Sequence, residues 1–208
     1  DDRDYVLIHI REPHMRGEDY VDSIFELLQH CNVSEYCRIG GMYDSVPHTR
    51  PLMVTGTLTA EQEERARGLV SHRAGTYQGP TSIISLLGER ATGAGIATPS
   101  LMAHIPQYVQ LDEDHMGAFR MMQVLSALYG FPESLADPAR GLRQYQELDR
   151  AVGRNPQLQA LIKQLEEYFD RIQASGGDPA QPEGGAPLSP QIEEFLREMG
   201  RRFDGSTS

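Results

Sequence analysis

Two hydrophobic periods alternate along the first 130 residues. YVLIHI, Tyr5–Ile10, is an unbroken apolar run rich in branched residues and predicts a strand buried on both faces. After the polar loop REPHMRGED, the residues Tyr20, Val21, Ile24, Phe25 and Leu28 recur at helical spacing and predict an amphipathic helix over about 19–30. EYCRI, 35–39, predicts a second strand that Gly40-Gly41 ends, and LMVTGTL, 52–58, a third, where Gly56 marks a bend or a close backbone approach. Thr59-Ala60-Glu61-Gln62 has the form of a capping box and opens a helix over about 60–69. The turn Gly79-Pro80 leads into a helix from Thr81, with Ile83, Ile84, Leu87 and Ala91 inside and Gly93 and Gly95 as its stop. IATPSLMAHI follows as a strand interrupted by Pro99, the mark of an edge strand or a bulge. Ala118, Met121, Met122, Leu125, Leu128 and Tyr129 then form one stripe of a helix over about 114–129. Buried strands alternating with helices predict an α/β fold, a mixed, mostly parallel sheet flanked by helices.

The character changes after residue 130. GFPESLADPARG is a turn-rich connector, and Asp137-Pro138, Asn155-Pro156 and Ser189-Pro190 each read as an N-cap followed by proline at the first helical position. They predict helices over about 138–152, 156–173 and 190–203. Leu158, Leu161, Leu165, Tyr168 and Ile172 form a near-heptad stripe on the second. The tight loop at 153–155 favours an antiparallel hairpin with the preceding helix over a self-paired coiled coil. SGGDPAQPEGGAPLSP, 175–190, reads as a flexible linker. The expected organisation is an α/β domain over 1–130, a helical hairpin over 131–174, a linker over 175–189 and a C-terminal helix and tail over 190–208.

Composition narrows the function classes. A net charge of −11 repels a phosphate backbone, so no nucleic-acid partner is expected. No apolar run approaches the roughly 20 residues a membrane span needs, and no membrane partner is expected. Cys31 and Cys37 match no zinc or redox spacing and read as buried thiols in a reducing cytoplasm. No metal or cofactor is expected.

Candidate chemistry lies in three loops that follow predicted strands, because ligands of open α/β sheets bind beyond the carboxyl ends of the strands. They are REPHMR, GGMYDSVPHTRP and HIPQY. If the strands run parallel, Glu12, Arg16, Asp44, His48, Thr49, Arg50, His104 and Tyr108 converge on one rim as an anion pocket, with Arg50 as its planar donor fork. Gly79 and Thr81, in QGPT, open a helix whose amides add to the pocket. The plainer reading is that Pro47 and Pro51 hold the backbone as a stiff connector between strands, with Arg50 clamping Glu12 or Asp44. There is no phosphate loop, no nucleophile elbow and no dinucleotide fingerprint, and nothing orients Ser45 and His48 as nucleophile and base.

YVLIHIREPHMRGEDY, RIGGMYDSVPHTRPLMVTGTLT, YQGPTSIISLL and AGIATPSLMAHIPQYV resemble the family of proteasome assembly chaperone 2-like proteins, in particular its bacterial, actinobacterial-type branch. The elements that carry the resemblance are Glu12-Pro13 with Arg16, Ser45–Pro51, Tyr77–Thr81 and Ser100–Tyr108. The resemblance implies a nucleoside-phosphorylase-like α/β fold with a C-terminal helical appendage, and homo-oligomers. It also implies a role in protein assembly, since eukaryotic and archaeal members help assemble the proteasome core particle. Departures from the branch are Met102, His104 and Gln107 in the last element and Ser82 after Thr81. The branch also begins with a further α/β segment not seen before residue 5, whose loss leaves a sheet edge unpaired, so a partner strand or a separately retained piece is expected there. The expected function is that of a non-catalytic, cytoplasmic assembly or interaction protein with a proteasome-related or other protein partner. The alternative is an enzyme or binding protein for a small anionic or nucleoside-like ligand.

Overall fold

A computed structural model describes residues 4–71, 82–109, 111 and 113–174, apart from the side chain of Ile172. Gly79 and Thr81, the predicted linker and the predicted helix over 190–203 lie outside the described residues. The elements run α1 (Gly17–His30), β1 (Arg38–Asp44), β2 (Val54–Thr57), α2 (Ala60–Arg65), α3 (Ile83–Gly93), β3 (Ser100–Pro106), α4 (His115–Tyr129), α5 (Pro138–Val152) and α6 (Pro156–Ala174), with a short 3-10 turn at Glu133–Leu135.

β3 lies between β1 and β2. It pairs with β1 in parallel and with β2 antiparallel, so the sheet is mixed, with one pairing of each kind among the described residues rather than mostly parallel. β3 is therefore the central strand. Pro99 precedes it instead of marking an edge, and the carbonyl of Pro99 accepts the N–H of Arg38.

Two predicted strands are corrected. Residues 5–10 form no strand, and Leu7 is 87% exposed. Ile8 and Ile10 only lean on the cluster that Val21, Phe25 and Leu28 of α1 form with Ile83 and Leu87 of α3. The second strand does not stop at Gly40-Gly41 but runs through them, because the side chains of Met102 and Ile105 lie where Cβ atoms would project. Gly56 is the predicted close approach, with the Ser100 carbonyl oxygen where its Cβ would stand.

On one face of the sheet Val54, Leu101 and Ala103 pack against Met121, Val124, Leu125 and Leu128 of α4. The observed inner face of α4 is turned from the predicted stripe, since Met122 and Tyr129 are only partly buried and Val124 is inside. Arg120 reaches from this helix to the carbonyls of Leu52, just before β2, and Leu69, after α2, and ties both segments to it. The caps work as read: Thr59 and Gln62 form the reciprocal box, and Asp137 accepts the amide of Ala139 ahead of α5. Asn155 accepts the amides of Gln157 and Leu158 and starts α6. A third cluster joins Tyr108 and Val109 with Leu148 and Val152 of α5 and Leu158, Ile162 and Leu165 of α6. The α6 stripe thus uses Ile162 and Phe169 in place of Leu161 and Tyr168. The two cysteines are not both buried: Cys31 is exposed at the end of α1 and Cys37 is half-buried.

Candidate functional site

The parallel pairing of β1 and β3 carries their two following loops off the same end of the sheet. There the Gln107 amide donates to the Asp44 carbonyl at 2.9 Å, and the Gln107 side chain to the Ser45 hydroxyl at 3.1 Å. Val46, Pro47 and His48 are buried between the loops. The double-proline segment therefore turns inward at its first half and outward at Thr49 and Arg50.

His48 is the centre of the inward half. The Tyr108 hydroxyl accepts the His48 backbone N–H at 2.7 Å and contacts Nδ1 of the same ring at 2.7 Å. Nε2 lies 2.9 Å from Oδ1 of Asp149 on α5. A carboxylate only accepts, so the ring proton sits on Nε2, and Tyr108 donates its own proton to Nδ1. Burial pushes the His48 pKa below its ordinary 6.5, with Asp149 pulling the other way. The neutral ring that results is the form this hydrogen-bond pattern requires. Burial likewise raises the Tyr108 pKa, which keeps its hydroxyl protonated as a donor. The edges of the Tyr108 and Tyr145 rings close around the imidazole, with centroids 5.7 and 5.8 Å away.

The outward half grips α6. Arg50 forms a two-pronged contact with Asp170, Nε to Oδ1 at 2.9 Å and Nη2 to Oδ2 at 2.7 Å, and a further bond from Nη1 to Glu166 at 3.1 Å. The Thr49 hydroxyl donates to the same Glu166 oxygen at 2.6 Å. These bonds raise the Arg50 pKa, the Asp170 hydrogen bonds first, and lower that of Asp170. The expected clamp on Glu12 or Asp44 is thus replaced by one on α6. Glu166 and Asp170 are one helical turn apart and present adjacent carboxylates, which is why a planar guanidinium spans them.

The remaining predicted site residues divide into separate places. Glu12 accepts the amide of Ile83 at 2.8 Å and caps α3. Arg16 adopts a left-handed conformation before α1 and bonds Asp19 at 2.6 Å on the surface. Asp44 and His104 form a second network, Asp44 Oδ2 to Nδ1 at 2.7 Å and Nε2 to the Thr55 hydroxyl at 2.8 Å. Its three members come from β1, β3 and β2, so it cross-ties the whole sheet. Among the described residues His48, Thr49, Arg50 and Tyr108 come together, but their polar groups bond one another and Asp149, Glu166 and Asp170, while Glu12 and Arg16 lie at other elements. Asp149, Glu166, Asp170 and Thr55 are the partners that sequence reasoning missed.

The PAC2 family model matches residues 1–144 of the chain. The chain belongs to the PAC2 family. Among solved structures it is similar to a protein of unknown function from Corynebacterium glutamicum, at 18% identity and TM-score 0.70, covering 79% of this chain and 60% of that one. It is also similar to a PAC2 family protein from Streptomyces avermitilis, at 26% identity and TM-score 0.56, covering 67% and 58%. A third is a proteasome-assembly chaperone homologue from Mycobacterium tuberculosis, at 25% identity and TM-score 0.60, covering 73% and 63%. The chain thus spans about three-fifths of the length of these structures. Comparison with curated proteins gives no match. The family match ends inside α5, so Asp149 and the α6 carboxylates that receive the PAC2 segment 48–50 lie beyond it. Among the described residues no helix is long and apolar enough to cross a membrane.

Proposed function

We propose that this chain is a non-catalytic assembly or interaction protein of the PAC2 family. One observation carries the reading: the groups a small anion would need, His48, Thr49 and Arg50, are spent on Tyr108, Asp149, Glu166 and Asp170. The loops that house ligands in open α/β sheets are here a joint that fixes a helical pair to the sheet. A rigidly mounted helical pair is a surface for other proteins. The similarity to a proteasome-assembly chaperone homologue supports proteasome core subunits as the partner class.

The finer architecture belongs to the same reading. The α/β part is nucleoside-phosphorylase-like, residues 131–174 act as a helical appendage, and 175–208 hold a linker and a C-terminal helix. The protein works in the cytoplasm of a bacterium as a homo-oligomer. The test is to mix it with purified proteasome α and β subunits and follow complexes by native electrophoresis and sedimentation. Co-migration with a subunit, or faster appearance of core particles, is the expected result. A stabilisation by phosphate, nucleosides or nucleotides in a thermal-shift screen, with no subunit bound, would overturn the reading.

A further inference from the structure

Two histidines are each held between a hydroxyl and a carboxylate. His48 lies between Tyr108 and Asp149, and Tyr108 is 1% exposed. His104 lies between Thr55 and Asp44, on another part of the sheet. Val54 stands opposite Ala103 and both pack against α4, so Thr55 and its opposite number Met102 project from the other face. Met102 is 37% exposed and Thr55 is half-buried, so this face is open beside the threonine hydroxyl. Of the two arrangements, the one around His104 is the one a small molecule can reach.

The Asp44 carboxylate is oriented at both oxygens. Oδ1 accepts the Ser45 amide at 2.7 Å, and Oδ2 lies 2.7 Å from Nδ1 of His104. A carboxylate only accepts, so the ring proton sits on Nδ1 and the lone pair of Nε2 faces Thr55. Thr55 Oγ1, 2.8 Å from Nε2, therefore donates its proton to the ring. A hydroxyl on Nε2, with Nδ1–H on a carboxylate, is the arrangement in which an imidazole serves a nucleophile as general base. All three side chains stand on paired strands, and the branched Cβ of Thr55 limits its rotation. The geometry points to Thr55 as a nucleophile that captures a small activated acyl group, an ester or thioester carbonyl with a good leaving group. Oγ1 forms the new C–O bond and its proton passes to Nε2 of His104. The bond to the leaving group breaks with its electron pair, and the imidazolium returns the proton to the departing group. Asp44 steadies the transient imidazolium. The product is an acylated threonine, formed once per chain without turnover. This modification goes beyond the assembly role, needs none of its partners and fails separately from it.

The probe is p-nitrophenyl acetate added to the full chain, followed by nitrophenolate release and by peptide mapping. A Cys31→Ser background removes the exposed thiol, and Lys163 is the sole lysine of the sequence, so competing acetylation is low. The expected result is a burst of nitrophenolate with an acetyl group on the peptide that carries Thr55. Thr55→Ser keeps the hydroxyl and the label, whereas Thr55→Val, of the same shape, loses both. Asp44→Asn leaves Thr55 and His104 in place but removes the acceptor that fixes the Nδ1 proton, and slows labelling about a hundredfold. Circular dichroism confirms that each variant compared is folded. An acetyl group found only on other peptides overturns the inference. So does equal labelling of the Thr55→Ser and Thr55→Val proteins, a comparison that stands even if Asp44→Asn does not fold. A folded Asp44→Asn protein that labels at the parent rate overturns it as well.

Discussion

Tyr108→Phe removes one oxygen atom and leaves the ring in place, so it tests the inward half of the joint without opening a cavity. Tyr108 is 1% exposed, and its hydroxyl serves two groups of one residue, accepting the His48 amide and donating to Nδ1. Phenylalanine leaves a buried N–H and a buried ring nitrogen without partners. Each orphaned buried polar group costs about 1–3 kcal/mol, and the two share a site, so the expected loss is about 2–4 kcal/mol. That is a large share of the roughly 5–15 kcal/mol typical of a folded domain. For a chain of this size it lowers the melting temperature by about 5–15 °C. The assay is urea denaturation at pH 7.5 followed by circular dichroism, at fixed protein concentration, with the slope of the transition checked against the parent. A change under about 0.5 kcal/mol, the level of an ordinary surface substitution, would refute the argument that this hydroxyl holds the loop.

His48 makes the joint sensitive to acid. Its folded pKa is held below the ordinary 6.5 by burial, so as pH falls the unfolded chain takes up the proton first. The stabilisation it contributes is complete above about pH 6.5 and is lost as pH falls through the lower folded value. Denaturation midpoints at pH 7.5 and 5.5 check this, and His48→Gln reduces the difference between them. Gly56→Ala forces a Cβ against the Ser100 carbonyl, where backbone rather than a flexible side chain must yield. It is expected to cost about 1–3 kcal/mol or more in the same denaturation assay, and an unchanged midpoint would show that β2 is not held this tightly.

The helical half of the molecule was legible because its signals are local. Asp137-Pro138 and Asn155-Pro156 start α5 and α6 where a cap and a proline must, and Thr59 with Gln62 starts α2. Strand reading was less faithful. Branched apolar residues at 5–10 favour a strand, but a strand exists only through a partner, and the run has none among the described residues. Gly40-Gly41 carry the usual weight of a stop, yet Met102 and Ile105 of the neighbouring strand need the space they leave. The double-proline segment was recognisable as a rigid element with polar groups at work. Its partners were not, because Asp149, Glu166 and Asp170 lie more than 100 residues downstream on helices whose acidic residues resemble a solvated face. The one available hint is the i, i+4 spacing of Glu166 and Asp170, which matches the reach of a single guanidinium.

The most direct test of the joint is a double-mutant cycle between Arg50→Ala and Asp170→Ala, read as amide hydrogen exchange across 156–174 with 38–44 and 100–106 as internal references. If Arg50 fastens α6 through Asp170, each single variant accelerates exchange in α6, the reference strands stay protected, and the double variant is little worse than either single one. Effects that simply add, or single variants whose α6 exchanges like the parent, would contradict the claim that this segment is a fastening between sheet and helices.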